Sequence, residues 1–291
     1  MKKIIGALVI ITTVFVGTLS NVYATSTFEK TPFNGVIVAE ACGSYDGIKA
    51  VNSKQALEKS VSDGYKLIEV DVSITKDNKP VCINRWSKKT LDKLGLDYSK
   101  NDYILSYEEY MNSKLCGKYT PLDVEMLYQY INNFYDERIR FRDGVVFKMT
   151  ETQFIIDFGE IKDKWDTYKC HRSFYKEFQR YYDLLTFKIY NETMYEGMNG
   201  YSNYMYVIDS KTDAKNIDKI LEFCSDKNFM SIQIKNDFIR KNIVDKCHKY
   251  GLQVVSTTTN SEKKAKKLLG LGVDCIATNT IKPDFGETTE K

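Results

Sequence analysis

Short apolar runs alternate with amphipathic stretches along the chain, and this alternation limits the folds that it can adopt. The runs are rich in Val, Ile, Phe and Tyr, as expected of strands that are buried on both faces. They cover residues 35–39, 67–72, 154–158, 185–190, 204–208, 230–234, 252–257 and 274–278. Strands that alternate with helices favour parallel pairing through crossover helices. About eight such units in roughly 250 residues indicate an α/β protein with a (β/α)8 barrel.

A doubly wound open sheet is the alternative architecture. Such a sheet usually has a glycine-rich turn after its first strand. Here the first run is followed by EACGSYDG, residues 40–47, which does not match G-x-G-x-x-G. The barrel is therefore the favoured fold.

The stretches between the later runs have helical periodicity. Residues 213–227 place Ile217, Ile220, Leu221 and Cys224 on one face. Residues 238–251 repeat this pattern and end at a glycine that is suited to a helix C-cap, and residues 261–272 are similar. These stretches are predicted to be the outer helices of the barrel.

A long insertion follows the second strand. Residues 80–86, PVCINRW, come after the turn sequence TKDNK and are predicted to form a hairpin with residues 67–75. Residues 87–150 contain few strand signals. Within them, Thr120 and Pro121 predict a helix that begins with a threonine N-cap and a proline at its first position.

The first 24 residues have the pattern of a secretory signal peptide. Lys2 and Lys3 precede an uncharged apolar stretch, and small residues at positions 22 and 24 predict cleavage after Ala24. An uncleaved anchor is the alternative, but the apolar stretch is short for a membrane span. We expect a secreted or cell-surface protein with one domain, residues 25–291, whose only membrane contact is through this leader.

Charge and cysteine content exclude some classes of function. The 42 basic residues nearly balance the 39 acidic ones, giving a net charge of +3, and no basic cluster suggests nucleic-acid binding. The seven cysteines are an odd number with irregular spacing, so we expect at most one or two disulfides. Cys170-His171 and Cys247-His248 lack the paired spacing of a zinc site.

An acidic pair stands near the end of the second strand. Glu69 and Asp71 are two residues apart, so both side chains face the same side of the strand, which in a barrel is the interior. Two carboxylates placed there need a cation. A divalent metal satisfies this need, and hard oxygen ligands favour Ca²⁺ or Mg²⁺. A structural salt bridge with Lys66 or Lys188 is the alternative.

The opening of the mature chain resembles the glycerophosphodiester phosphodiesterase family. A-E-A-C-G at residues 39–43 is similar to that family's A-H-A-G-G, and N-S-K-Q-A at residues 52–56 is followed by the E-x-D strand. Later segments that fit are YTPLDVEMLYQYI (119–131), FKIYNETMYE (187–196) and GLGVDCIATN (270–279). The resemblance covers residues 34–280. It implies a barrel that hydrolyses phosphoric diesters such as glycerophospholipid headgroups.

The resemblance also implies roles for individual residues. Two histidines of the family supply the general acid and base, and the E-x-D pair with another acid holds a divalent metal. In this chain the metal ligands would be Glu69, Asp71 and Asp157. Glu40 stands at the first histidine, and Asn84-Arg85 stands where the family has His-Asp.

The chain also lacks a lysine that the resemblance implies after the middle strand. The family's D-x-K reads Asp157-Phe158-Gly159 here, and Lys188 replaces a residue that is often glutamine. Asparagine cannot carry a proton at useful pH. We therefore expect a barrel that binds a metal and a small phosphodiester or lipid headgroup with little or no turnover.

Two other functions stay open. In the first, the protein is an altered metal-dependent hydrolase in which Glu40 serves as acid and base. In the second, it is a structural cell-surface protein without a metal. We also expect Glu40 to pair with Lys188 or Arg85 if it does not bind the metal. His171 and His248 are both expected on the surface.

Overall fold

A computed structural model describes residues 32–99, 102–136, 152–161, 163–179, 181–198 and 203–286. The predicted leader and the end of the predicted insertion, residues 137–150, lie outside these ranges.

Eight parallel strands close into a barrel, as the alternating pattern predicts. Each strand pairs with its neighbours in sequence, and the first strand also pairs with the eighth. The strands are Ile37–Ala39 (β1), Leu67–Asp71 (β2), Gln153–Asp157 (β3), Leu185–Ile189 (β4), Asn203–Ile208 (β5), Ser231–Ile234 (β6), Gln253–Ser256 (β7) and Cys275–Thr278 (β8). Every predicted apolar run overlaps one of them, and the boundaries differ by at most two residues.

Helices follow most of the strands. In the described residues they are Lys54–Ser62 (α1), Lys88–Leu94 (α2), Tyr107–Met111 (α3), Val124–Asp136 (α4), Lys164–Glu177 (α5), Glu192–Gly197 (α6), Lys211–Lys215 (α7), Ile217–Asp226 (α8), Lys241–Lys249 (α9) and Glu262–Gly270 (α10). Short 3-10 helices cover Glu40–Cys42 and Tyr182–Leu184. Side-chain caps fix several starts: the hydroxyls of Ser53 and Ser261 accept hydrogen bonds from the backbone of the first helical turn. None of these helices has the length and apolar character needed to span a bilayer.

Successive residues of each strand point alternately to the outside and the inside of the barrel, which gives two buried layers. Alternate residues that face outward pack with the helices in the main core, for example Ile68 and Val70 of β2. The inward set near the start of the strands forms a separate apolar cluster: Phe33, Val38, Leu67, Ile155, Met205, Met230, Val255, Cys275 and Ala277. Nearer the carboxyl ends of the strands, the inward-facing residues are charged. The polar site therefore lies at the carboxyl ends of the strands, next to this apolar cluster.

The predicted hairpin is present but short. Ser73–Ile74 pairs with Pro80–Val81 in antiparallel register. The segment that follows builds its own small core around Ile83, Leu91 and Tyr110. The hydroxyl of Tyr110 donates a hydrogen bond to the carbonyl of Cys82, which ties this core to the barrel rim.

The predicted start of the insertion helix at Thr120 is wrong. The helix α4 begins at Val124, and the carboxylate of Asp123 accepts a hydrogen bond from the backbone N–H of Met126. Thr120 and Pro121 instead lie against the start of α1: the carbonyl of Thr120 accepts from Lys54 N–H, and Pro121 forms an isolated bridge with Ser53. Thr120 and Pro121 would cap an isolated helix, but in the folded protein they contact the start of α1 instead.

Within the part of the chain that the structure describes, no disulfide joins any of the seven cysteines. Six are buried, and Cys116 is half-buried. Cys82 and Cys275 lie in the core as small apolar residues, as their positions in strand-like runs indicate.

Candidate functional site

Three carboxylates meet inside the mouth of the barrel. Strand β2 ends with Glu69 and Asp71, and the adjacent strand β3 ends with Asp157, which is in register with Asp71. All three residues are buried, and each offers a ligand oxygen within 4.8 Å of the other two. The structure therefore assembles the predicted acidic set from two neighbouring strands.

Lys188 brings a positive charge to this triad from β4. Its Nζ lies 2.7 Å from Glu69 Oε1 and 2.9 Å from Asp157 Oδ2. The lysine side chain is 4% exposed. Of the two lysines considered as salt-bridge partners, Lys188 is the one that pairs with the triad, because β4 lies next to β3 in the barrel.

Two neutral side chains form hydrogen bonds with two of the three carboxylates. Asn52 donates from Nδ2 to Asp71 Oδ2 at 2.8 Å and accepts at Oδ1 from the backbone N–H of Asp71 at 3.0 Å. The hydroxyl of Tyr190 lies 2.9 and 3.0 Å from the two oxygens of Asp157. Neither residue was singled out as functional from the sequence. The available signals were the position of Asn52 in the N-S-x-x-A segment and of Tyr190 directly after β4.

The charges of this cluster do not cancel. Three carboxylates and one ammonium leave a formal charge of −2 in a buried site. Burial raises the pKa of Glu69 to about 8, although Lys188 acts in the opposite direction. Burial and the charge of Asp157 raise the pKa of Asp71 to about 6. Burial works against the Lys188 ammonium, but Asp157 and Glu69 outweigh it and hold the lysine pKa well above its usual value.

The triad fits a divalent cation. Glu69 Oε2 is buried and has no hydrogen-bond partner among the residues that the structure describes, which is costly for a carboxylate oxygen unless a cation or a proton meets it. The donor atoms are oxygens, and such sets suit hard cations such as Ca²⁺ and Mg²⁺. Glu69, Asp71 and Asp157 could hold such an ion, which would balance the remaining charge.

A cavity of about 460 Å³ opens beside the triad. Its lining contains three of the substituted positions, Glu40, Asn84 and Arg85, and Asn52 connects it to Asp71. The insertion supplies the opposite wall. The other lining residues are Ala50, Val51, Ile83, Ser87, Lys89, Thr90, Lys93, Leu94, Thr258 and Asn279. The cationic residues Lys89 and Lys93 of α2 were not predicted as site residues, since nothing in the sequence of the insertion indicates which side of α2 faces the barrel.

Glu40 forms neither of its expected ion pairs. Within the described residues it makes a salt bridge with neither Lys188 nor Arg85, since Lys188 pairs with Glu69 and Asp157, and Arg85 lies 3.5 Å from Glu160. Its carboxylate is outside the group of potential metal ligands. The backbone carbonyl of Glu40 accepts from Asn279 Nδ2 at 3.0 Å. The carboxylate therefore belongs to the cavity wall.

Both histidines lie away from the mouth of the barrel. The expectation that His171 is on the surface is wrong: its side chain is buried on the inner face of α5, against Phe187 and hydrogen-bonded to the hydroxyl of Tyr182. His248 lies in the last turn of α9, half-exposed, with Nε2 2.9 Å from Asp274. Neither histidine is among the residues that line the cavity.

The fold and the acidic site define a (β/α)8 barrel with an anion-lined mouth at the carboxyl ends of its strands. The model of the Glycerophosphoryl diester phosphodiesterase family matches residues 45–282. The chain belongs to this family. The comparison with curated proteins gives no match.

Solved structures share the fold at low sequence identity. A glycerophosphodiester phosphodiesterase from Thermotoga maritima is 17% identical, with a TM-score of 0.61, covering 84% of this chain and 94% of that one. A phosphodiesterase from Oleispira antarctica, in complex with the product sn-glycerol-3-phosphate, is 16% identical, with a TM-score of 0.62 and coverage of 85% and 93%. A glycerophosphodiester phosphodiesterase from Agrobacterium tumefaciens is 13% identical, with a TM-score of 0.61 and coverage of 86% and 98%.

Proposed function

We propose that this protein binds a divalent cation at its acidic triad and a small phosphodiester in the adjoining cavity, with little or no turnover. One observation carries this proposal: the buried triad is assembled, whereas both histidines lie away from the mouth. Phosphodiester hydrolysis with a general acid and base typically gains about 10²–10⁴-fold from one such group. A barrel that retains the cation site without these groups is suited to binding.

The charge of the cavity wall indicates an anionic ligand. Arg85, Lys89 and Lys93 line the cavity, and Glu40 is the only acidic residue among the described residues that line it. Lys93 is exposed, and its Nζ donates to the carbonyl of Ala50 at 3.1 Å. Its ammonium forms no salt bridge with a carboxylate of the described residues, so it can bind an anionic group of a ligand. The Oleispira antarctica relative holds the product sn-glycerol-3-phosphate, which is an anionic phosphate ester.

The bound cation would neutralise phosphoryl charge and polarise the phosphorus–oxygen bonds. The protein residues would position the ligand: the cationic side chains of the insertion bind its anionic groups, and Ala50, Val51 and Ile83 contact its carbon atoms. Asn84 donates hydrogen bonds but cannot transfer a proton.

An altered hydrolase is the second candidate function. It is favoured by the position of Glu40, a carboxylate in the cavity wall that no described cation neutralises. Glutamate can act as general acid and base when its surroundings raise its pKa. In this case Glu40 would carry both proton transfers.

Activity assays with variants distinguish the two functions. We would measure binding and hydrolysis of a glycerophosphodiester and of phosphatidylinositol with Ca²⁺, Mg²⁺ or a chelator. The binding function predicts metal-dependent affinity without turnover, and hydrolysis that appears in a Glu40→His/Asn84→His variant. Metal-dependent turnover that Glu40→Gln abolishes, while the surface variant Glu222→Gln retains it, would establish the hydrolase instead.

Ligand binding through the insertion has its own test. Lys89→Met and Lys93→Met should each weaken binding of the glycerophosphodiester by about 3–10-fold, because each removes one charge from the wall. Lys267→Met on the exposed face of α10 is the matched control. Equal affinities in all three variants would show that the ligand does not contact α2.

We also propose export of the protein, on the pattern of residues 1–24. N-terminal sequencing of the protein made in a bacterial host that secretes it should give Thr25 as the first residue. Recovery of the intact leader in the membrane fraction would support the anchor instead.

A further inference from the structure

Lys188 is more than a neighbour of the proposed cation site, because it holds oxygens of two of the three potential ligands. Its Nζ lies 2.7 Å from Glu69 Oε1 and 2.9 Å from Asp157 Oδ2. All three side chains are at most 10% exposed. Such short contacts in a buried site are charge-assisted hydrogen bonds with little screening by solvent.

The ammonium acts as a partial substitute for a metal. It reduces the charge of the triad from −3 to −2 and lies at hydrogen-bond distance from atoms that a cation would also approach. A second positive ion at the triad would be repelled by the lysine, since like charges a few ångströms apart interact strongly in a buried site. The unpaired Glu69 Oε2 shows that the lysine leaves part of the site unsatisfied.

We propose that Lys188 is a built-in counter-cation that keeps the triad stable without a metal and sets a weak affinity for divalent cations. This inference rests on the metal site of the proposed function. It makes the occupancy of that site depend on the free cation concentration in the surroundings. A triad without the lysine would bind the cation tightly and would require it for stability.

A purely structural salt bridge makes a different prediction. If Lys188 only anchors β4 to β2 and β3, its removal lowers stability and leaves the affinity for cations equal or weaker, because the ligands become less ordered. If Lys188 competes with the cation, the same removal lowers stability without metal and strengthens cation binding. The direction of the affinity change separates the two roles.

The experiment is calorimetric titration of Ca²⁺ and Mg²⁺ into the mature chain and its Lys188→Met variant, with no phosphodiester present. We expect affinity that is at least about tenfold tighter in Lys188→Met. We also expect a lower melting temperature in chelator and a larger rise when Ca²⁺ is added. The control is Lys235→Met, at the carboxyl end of β6, where the ammonium lies over the ring of Phe238. It should bind cations as the parent chain does.

A second variant covers the case in which Lys188→Met does not fold without metal. Lys188→Gln retains an amide donor for the carboxylates but removes the charge, so its cation affinity should also exceed that of the parent chain. Equal or weaker cation binding in the folded variants, or no cation binding in any variant, would overturn the proposal. Tighter cation binding in Lys188→Met than in the parent chain, without any phosphodiester affinity, would leave it intact and refute only the ligand part of the proposed function.

Discussion

Asn52 holds Asp71 by two hydrogen bonds, one to its carboxylate and one from its backbone N–H. Asn52 has a φ of 52°, in the left-handed region where asparagine and glycine are tolerated. Asn52 therefore has two roles. Its backbone forms part of a turn after β1, and its side chain orients Asp71, a potential metal ligand on β2.

Replacement of Asn52 should weaken cation binding without blocking the fold. Asn52→Gly keeps the backbone conformation and removes both side-chain bonds, so Asp71 loses its fixed orientation. Loss of such an orienting partner typically costs about 10–100-fold in metal affinity. Calorimetric titration with Ca²⁺ measures this affinity. Asn78→Gly, at an exposed turn with a φ of 61°, is the matched control, and an equal affinity in both variants would contradict the role of Asn52.

Cation binding should raise the melting temperature through Glu69. At a free cation concentration about 100 times the dissociation constant, binding adds about 2.7 kcal/mol to the free energy of unfolding. For a domain of this size the melting temperature then rises by roughly 5–10 °C. Glu69→Gln should reduce the rise to below about 2 °C, because a neutral amide replaces the ligand charge.

Asp209→Asn is the control for this measurement, since Asp209 follows β5 and is exposed outside the triad. It should respond to the cation as the parent chain does. A structural cell-surface protein without a metal site predicts no rise in the parent chain and no effect of Glu69→Gln.

The buried His171 should make the fold sensitive to acid. Burial lowers the pKa of its imidazole to about 4, whereas an unfolded histidine titrates near about 6.5. The unfolded state thus binds the proton first, and stability is complete above pH 6.5 and falls as the pH drops towards 4. At pH 5.0 the loss from this residue is about 2 kcal/mol relative to pH 7.5.

Urea unfolding of the parent chain and of His171→Gln at pH 7.5 and 5.0 measures this effect. The variant should lack this part of the acid loss, because glutamine does not titrate. His248→Gln, which changes a half-exposed histidine, should retain it. Equal acid losses in the parent chain and His171→Gln would show that His171 is not the sensitive group.

Gly197 should not tolerate a methyl group. A Cβ at this last residue of α6 would lie 2.5 Å from the carbonyl oxygen of Lys164 and 2.9 Å from Thr167 Cβ on α5. Because the first contact is with backbone, α5 and α6 must separate, and Gly197→Ala should cost about 1–3 kcal/mol. Gly270 also ends a helix, α10, but faces open space. Gly270→Ala should be neutral or stabilise by up to about 1 kcal/mol in urea unfolding.

The strand pattern predicted most of the barrel because each strand carries its own local signal. Apolar runs of the right length, bounded by turns and helical periodicity, overlap all eight strands. The period of two placed Glu69 and Asp71 on the same face. These features depend on residues that are close in sequence, so no knowledge of the fold is needed.

The expectation that His171 lies on the surface was wrong because the helical spacing of its apolar neighbours was not considered. Thr167, Cys170, His171 and Phe174 share the buried face of α5 at helical spacing. A histidine in this pattern packs as part of the core when a hydroxyl such as that of Tyr182 meets its ring nitrogen. Composition alone favours the surface for a polar residue, and the periodicity of its neighbours corrects that expectation.

By itself, the sequence determined the order of strands and helices, the family and the acidic residues that face the barrel interior. Only the tertiary structure decided that Lys188 balances the triad, that Asn52 and Tyr190 hold its oxygens, and that Glu40 lines the cavity without an ion pair. The physical reason is that these contacts join residues far apart in the chain. Closure of the barrel sets their distances, whereas local periodicity sets only which way each side chain points.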